Sequence, residues 1–243
     1  MKIGVCIFAF NRSDSINEVF LNLAEQVLDG DIDIHLFIDG PKCEADIDIQ
    51  RKIISLANHF FEPRQLSIHS RNVNVGLREN IIEGINFIKS AYSAFLIIED
   101  DTVLAPGALG YVIKMLSIHQ LSSSIMHINL WNFVEVSNSR PYFSAHMHCW
   151  GWASWSDRWP SDLRQVINWD LKFIEKVRLS KFFSTSHYSH FYGNKIGANK
   201  TWAILWMAYI IRHKGLIISP PVSFVKNIDL GGGSNVESVI RRQ

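Results

Sequence analysis

Ala94-Phe95-Leu96-Ile97-Ile98-Glu99-Asp100-Asp101 runs five apolar residues straight into three carboxylates. A short continuous apolar run bounded by polar residues reads as a strand buried on both faces, the kind found in parallel sheets. The carboxylates then stand where that strand leaves the core. If the extended backbone continues, Glu99 and Asp101 share one face and Asp100 takes the other. Like charges held together at a strand end repel unless a cation sits among them. A hard divalent ion that also binds phosphate oxygens is the natural occupant, Mg²⁺ or Mn²⁺. A solvated acidic turn is the alternative on these residues alone.

The flanking sequence supplies the sheet. Lys2 to Phe10 and Ile32 to Ile38 are strongly apolar, and Leu66 to His69 is a shorter strand. Between them the 3.6-residue period predicts helices over Ser15 to Leu28, Glu44 to Phe61 and Gly76 to Lys89. Strand alternating with helix predicts an α/β fold: a mixed, mainly parallel, Rossmann-like sheet flanked by helices. In such sheets ligands bind beyond the carboxyl ends of the strands, where Asn11-Arg12, Asp39 and Glu99 to Asp101 all fall. The second half predicts helices at Pro106 to Leu121, Leu171 to Phe183 and Thr201 to His213, with a strand at Met126 to Leu130. We expect one body over 1–243, with a nucleotide-type half to about residue 105 and an acceptor-type half after it.

Bulk properties narrow the class. With 243 residues, 47% apolar and 19% charged, the chain is an ordinary globular protein. A net charge of +1 excludes a general nucleic-acid binder, which needs a basic excess. Cys6, Cys43 and Cys149 are odd in number and far apart, which fits reduced thiols. No apolar run reaches membrane-spanning length, and a strand starting at Lys2 leaves no room for a signal peptide. The expected location is the cytoplasm, with peripheral membrane contact left open by Arg241-Arg242.

Arg12 and Asp39 together suit a pyrimidine with a protonated N3, the Asp accepting the ring N–H and the Arg donating to oxygens. A surface ion pair or a capping Asp is the plain alternative. Asn72 to Asn80 places Gly76 and Arg78 at a helix start, where free N–H groups and a cation attract diphosphate. Trp150, Gly151, Trp152 and Trp155 cluster with Ala and Ser; indoles there either fill the core or stack on a sugar face. His146 and His148 share a face without recognised zinc spacing.

Taken in order, these segments resemble the GT-A fold glycosyltransferases. More narrowly they resemble bacterial glycosyltransferase-2-like proteins related in fold to animal N-acetylglucosaminyltransferase I. The resemblance is carried by Phe8 to Ser13, Phe37 to Gly40, Asn74 to Arg78 with Glu83 to Ile85, and Ile97 to Asp101 with Pro106. It continues through Leu130-Trp131-Asn132, Trp150 to Trp155 and Asn227-Ile228. It implies a transferase using a nucleotide-sugar donor, UDP- or dTDP-linked, and a glycan or lipid-linked glycan acceptor in bacterial surface polysaccharide synthesis. It further implies that Phe10, Asn11, Arg12, Asp39, Arg78, Glu99 and Asp100 bind the donor while Asp101 ligates Mn²⁺ or Mg²⁺. Trp131, Asn132, Trp150, Gly151, Trp152 and Trp202 would frame donor sugar and acceptor.

Two positions depart from that pattern. The animal relative has an acidic base directly after a Trp, and here Ala203 follows Trp202; some similar bacterial members also carry Ala there. No Asp or Glu occurs between Glu175 and Asp229, so Asp157, Asp170, His187 and His190, with His146 and His148, are what remains for a base if the reaction inverts. Gly231 to Val236 lacks the His that often completes the metal shell. The basic stretch Lys176 to Lys226 suits an anionic acceptor or is simply a solvated face. Rival classes are a sugar-1-phosphate nucleotidyltransferase, disfavoured because Phe8 to Arg12 has no glycine, and a catalytically degenerate domain that binds glycan or nucleotide sugar. A haloacid-dehalogenase-type phosphatase would need an Asp where Asn11 stands.

Overall fold

A computed structural model describes residues 1–27, 32–132, 140–180 and 187–228. The elements in chain order are β1 (Ile3–Ala9), α1 (Ser13–Ala24), β2 (Ile32–Ile38), α2 (Glu44–Phe60), β3 (Leu66–Ser70), α3 (Leu77–Ile88), β4 (Ala94–Glu99) and β5 (Thr102–Leu104). They continue with α4 (Ala108–Ile118), β6 (Ile125–Asn129), β7 (Tyr142–Ser144), β8 (Trp152–Trp155), a 3-10 helix (Leu163–Asn168), α5 (Phe173–Ser180), α6 (His187–Lys195), α7 (Ala203–Arg212), β9 (Leu216–Ser219) and β10 (Val225–Asn227). The expected Gly231 to Val236 loop and Arg241-Arg242 lie outside the described residues.

The main sheet has the order β3-β2-β1-β4-β8-β6-β9-β7. β1 is parallel to β2 and β4, and β2 to β3, while β8 runs antiparallel between β4 and β6. β9 returns to the parallel sense beside β6, and β7 is an antiparallel edge. A small second sheet pairs β5 with β10. The observed architecture is therefore the expected mixed, mainly parallel sheet flanked by helices.

Burial on both faces explains the uninterrupted apolar runs. Along β4, Ala94, Leu96 and Ile98 join the core under α1 and α2, with Ile16, Phe20, Ile53 and Ala57. Phe95 and Ile97 join the opposite core with Ile81, Ile85 of α3, Trp206 of α7 and Trp152. Each residue, whichever way it points, meets packed side chains, so none of the run is polar until Glu99.

Seven elements escaped the sequence reading: β5, β7, β8, β9, β10, α6 and the 3-10 helix. β8 is four residues long and fully buried, too short for a period to show, and its Trp-Ala-Ser-Trp composition hides an interior strand. Helix α5 spans Phe173–Ser180 within the predicted Leu171 to Phe183 segment, whose last three residues lie outside the described ones. Among the described residues no helix is long and apolar enough to cross a membrane.

One buried group fixes a pH dependence of the fold. His127 on β6 is fully buried, its Nε2 lies 2.9 Å from Asn129 Oδ1, and its Nδ1 accepts from Trp206 Nε1 at 3.1 Å. Burial, with the charge of His148 beside it, pushes its pKa down to about 3, although the bond to Asn129 pulls the other way. A depressed base binds its proton in the unfolded chain first, so its contribution is whole above about pH 6.5 and is lost as pH falls towards 3. At pH 5 the loss is ~2 kcal/mol for this one ring. The His127 ring proton resonances are expected to stay fixed from pH 8 to 4; titration with a midpoint near 6.5 would refute the assigned hydrogen bonds.

Candidate active site

The carboxyl ends of β1, β2 and β4 lie side by side, with Ala9 level with Ile38 and Phe8 level with Glu99. Beyond them Arg12 reaches across to the end of β4. Its Nη1 lies 3.2 Å from Asp100 Oδ1 and 3.0 Å from Asp101 Oδ2. The Phe10 amide donates to Asp100 Oδ2 at 3.2 Å, and Thr102 Oγ1 donates to Asp101 Oδ1 at 3.3 Å. The expectation that Glu99 pairs with Asp101 on one face is thus corrected. Asp100 and Asp101 meet the same guanidinium nitrogen because β4 stops at Glu99 and the chain turns there, ending the alternation.

Positive charge is short at this corner. Burial, then the neighbouring Asp101 and Asp100, raise Glu99 to about 8, with Arg12 pulling it down. Asp100 is raised to about 6, chiefly by burial, despite Arg12 and the Phe10 amide. Three carboxylates against one guanidinium form an all-oxygen donor set that a hard cation fits. Among the described residues no group of three or more His, Cys, Asp or Glu is arranged to hold a metal by itself. An ion at this corner would therefore take only one or two protein oxygens and need others from a ligand, as Mg²⁺ and Mn²⁺ do with phosphates.

Asp39 and Asn11 are engaged in building the rim. Asp39 Oδ1 accepts from the Gly40 and Val75 amides at 2.9 Å each, and Oδ2 from the Gly76 amide at 2.8 Å. A carboxylate has about four acceptor positions, so Oδ2 keeps one. The loop lies so close that a Cβ on Gly40 would stand 2.1 Å from the Val73 carbonyl carbon. Asn11 Nδ2 donates to Asp46 at 2.8 Å, tying the turn to the start of α2. Arg78 opens α3 beside the same loop and pairs with Glu79 at 2.8 Å. Arg71, which the sequence reading passed over, follows β3 on this edge and bonds Asn80 and Glu83. Its position after the third parallel strand was the available signal.

The tryptophans divide. Trp131 and Trp150 are half-buried and meet edge to face at 4.7 Å, with His148 against Trp131 at 4.8 Å. Cys149 beside them feels the charges of Glu99 and Asp101, so this segment borders the acidic corner. Trp152 and Trp202 are corrected from pocket to core. Trp152 has no exposed surface and stacks on Trp202 at 5.2 Å and on His127 at 5.0 Å, while Trp202 is 3% exposed. β8 is an interior strand with helices over both faces, so its side chains do not reach the strand-end edge. Gly151 contributes backbone with φ +64, and a Cβ there would stand 2.9 Å from Val225. Asn132 Nδ2 donates to the Pro220 and Pro221 carbonyls at 2.9 and 3.2 Å, fastening the 220–223 loop.

The base candidates divide too. Asp157 pairs with Arg158 and follows β8, where Ser156 bonds the Ser93 carbonyl that precedes β4. It therefore lies at the amino end of the parallel strands, away from the acidic corner. Asp170 is solvent-exposed, bonded to Lys195 at 3.1 Å, and its carbonyl takes Arg212 at the far end of α7. Both carboxylates are corrected: antiparallel β8 and the descent of α7 carry them to the wrong edge. His187 opens α6 close enough to His146 and His148 to lower both. His190 is exposed one turn further along.

This is an α/β protein whose strand ends carry a carboxylate corner, a basic helix start and half-buried indoles. The chain belongs to glycosyl transferase family 2, whose model matches residues 4–189, and its sheet is of the GT-A kind that the resemblance implied. Similar solved structures include a mannosyltransferase, PcManGT, from Pyrobaculum calidifontis in complex with GDP-Man and Mn²⁺. It shares 13% identity over 69% of this chain and 46% of that one, with a TM-score of 0.46. Glucosyl-3-phosphoglycerate synthase from Mycobacterium tuberculosis, in complex with Mn²⁺, UDP and glucosyl-3-phosphoglycerate, shares 13% over 64% and 57%, TM-score 0.40. S. aureus TarS shares 17% over 58% and 23%, TM-score 0.39. The chain spans about half the length of the mannosyltransferase and about a quarter of that of TarS. Among curated proteins nothing matches.

Proposed function

We propose that the chain is a nucleotide-sugar-dependent glycosyltransferase acting in the cytoplasm on a glycan or lipid-linked glycan of a bacterial surface polysaccharide, with UDP- or dTDP-sugars as favoured donors. Family membership supports the transferase class. The observation that carries the site is the reach of Arg12 from the end of β1 to both Asp100 and Asp101 at the end of β4.

Asp101, with Asp100 and Glu99 beside it, is the group to hold Mn²⁺ or Mg²⁺. When bound there, such an ion would supply Lewis-acid assistance to glycosyl transfer, offsetting charge on a departing diphosphate. Arg12 orients the two aspartates and limits their repulsion. Asp39 holds the Val75-Gly76 loop so that the amino end of α3 and Arg78 face the phosphates. The base lies with Asp39's one open acceptor, and the sugar and acceptor with Trp131, Trp150 and the edge histidines. His187 is the residue we assign to deprotonate an acceptor hydroxyl in an inverting reaction, now that Asp157 and Asp170 fall at the other edge.

Ala203 keeps a second reading in play: it opens α7 directly after buried Trp202, and it cannot take a proton. On that reading the domain binds nucleotide sugar or glycan without transfer. Calorimetric titration with UDP-, dTDP- and GDP-sugars in Mn²⁺ tests the first reading, with a uridine or thymidine donor expected to bind. Absence of binding by every sugar nucleotide would overturn it. Donor binding with no hydrolysis and no transfer to any glycan would select the second.

A further inference from the structure

Helices α5 and α6 pack antiparallel on the outside of the acceptor half. Lys176 lies over the Tyr188 ring at 5.7 Å, and Asp170, just before α5, bonds Lys195 at the end of α6. In an antiparallel pair that register sets Phe173 beside Tyr192. Phe173 is 82% exposed, Ile174 57%, Tyr192 53% and Ile196, following α6, 60%. Four large apolar side chains on one helix pair are thus exposed, a density that sets this face apart from the scattered exposure of an ordinary surface.

Its surroundings are mainly basic. Lys172, Lys176, Lys195 and Lys200 are all exposed. Glu175 is buried and taken by Arg212, leaving Asp170 as the exposed acid in these segments. Apolar and aromatic side chains ringed by lysines match the interface of an anionic bilayer, where rings and aliphatic chains enter the headgroup layer and ammonium groups meet lipid phosphates. A second copy of this chain fits poorly, because a two-fold contact would set one lysine ring against the other.

We propose that this α5–α6 face docks on an anionic lipid surface, with Phe173, Ile174, Tyr192 and Ile196 entering the headgroup region. Docking needs neither donor nor metal, so it stands or falls apart from the proposed transfer.

Flotation of the full chain with vesicles of phosphatidylcholine carrying about 30% phosphatidylglycerol tests this directly. The protein is expected to float with these vesicles and to stay behind with pure phosphatidylcholine. Phe173→Ser with Ile174→Ser, both at exposed positions and checked for an unchanged melting temperature, should weaken partitioning about 100-fold. Lys172→Gln with Lys176→Gln should weaken it about 30-fold, and added salt should mimic that change. Failure to float, equal binding to neutral vesicles, or undiminished binding by the Phe173→Ser, Ile174→Ser protein would overturn the proposal. So would a dimer in sedimentation that those serines dissolve, since the face would then belong to a second copy.

Discussion

Asp101→Asn is expected to lower metal-dependent hydrolysis or transfer of the bound sugar nucleotide about 100-fold while the protein stays folded. Asparagine has the same shape and retains one oxygen, so Thr102 or Arg12 keeps an acceptor, and Arg12 still holds Asp100 at 3.2 Å. What disappears is one negative charge where the end of β4 meets Arg12 from the turn after β1. Fold effects are separable, because relieving like-charge repulsion should leave the melting temperature level or slightly higher. Undiminished turnover in Mn²⁺, with melting unchanged, would move the metal away from Asp101.

The sequence made the first half legible because β1, β2 and β4 are buried on both faces and each helix shows one apolar stripe. β1 and β4 alternate between two cores, so seven and five residues of unbroken burial announce themselves. The same logic placed Arg12, Asp39 and Glu99 to Asp101 at a common edge. The details failed where local geometry departed from the period. The turn after Glu99 swapped the expected carboxylate pairing, and Asp39 proved to hold three backbone amides from loops whose approach no sequence pattern encodes. The second half was harder for a structural reason. Its strands are three to five residues long and mix directions, so a residue's distance in sequence from the acidic motif says little about its edge of the sheet. Asp157 sits two residues past β8, yet the antiparallel sense of that strand carries it to the opposite end. Once that sense is known, Trp150 before the strand and Asp157 after it fall at opposite edges without further information.

Trp152→Ala should be the most damaging single change to stability, about 4 kcal/mol, against about 1 kcal/mol for Trp150→Ala two residues earlier. Trp152 is wholly buried between Phe95 at 5.7 Å, His127 at 5.0 Å and Trp202 at 5.2 Å, with Trp159 and Trp206 at 6.0 and 6.3 Å. Its Nε1 makes no hydrogen bond, so the loss is one of packing and apolar burial alone. The cavity left by an indole cannot close when its neighbours are themselves large rings on three separate elements, and cost rises with the volume that stays empty. Folded domains hold about 5–15 kcal/mol in reserve, so Trp152→Ala would leave a marginal protein, whereas Trp152→Phe should recover more than half of the loss. Trp150 is half-buried against Trp131, so its truncation removes surface that solvent can reach and should act on sugar or acceptor affinity instead. Urea denaturation of the three variants, with donor titration on those that fold, reads both effects. Equal destabilisation by Trp150→Ala and Trp152→Ala would erase the division of the tryptophan cluster into a core strand and a binding edge.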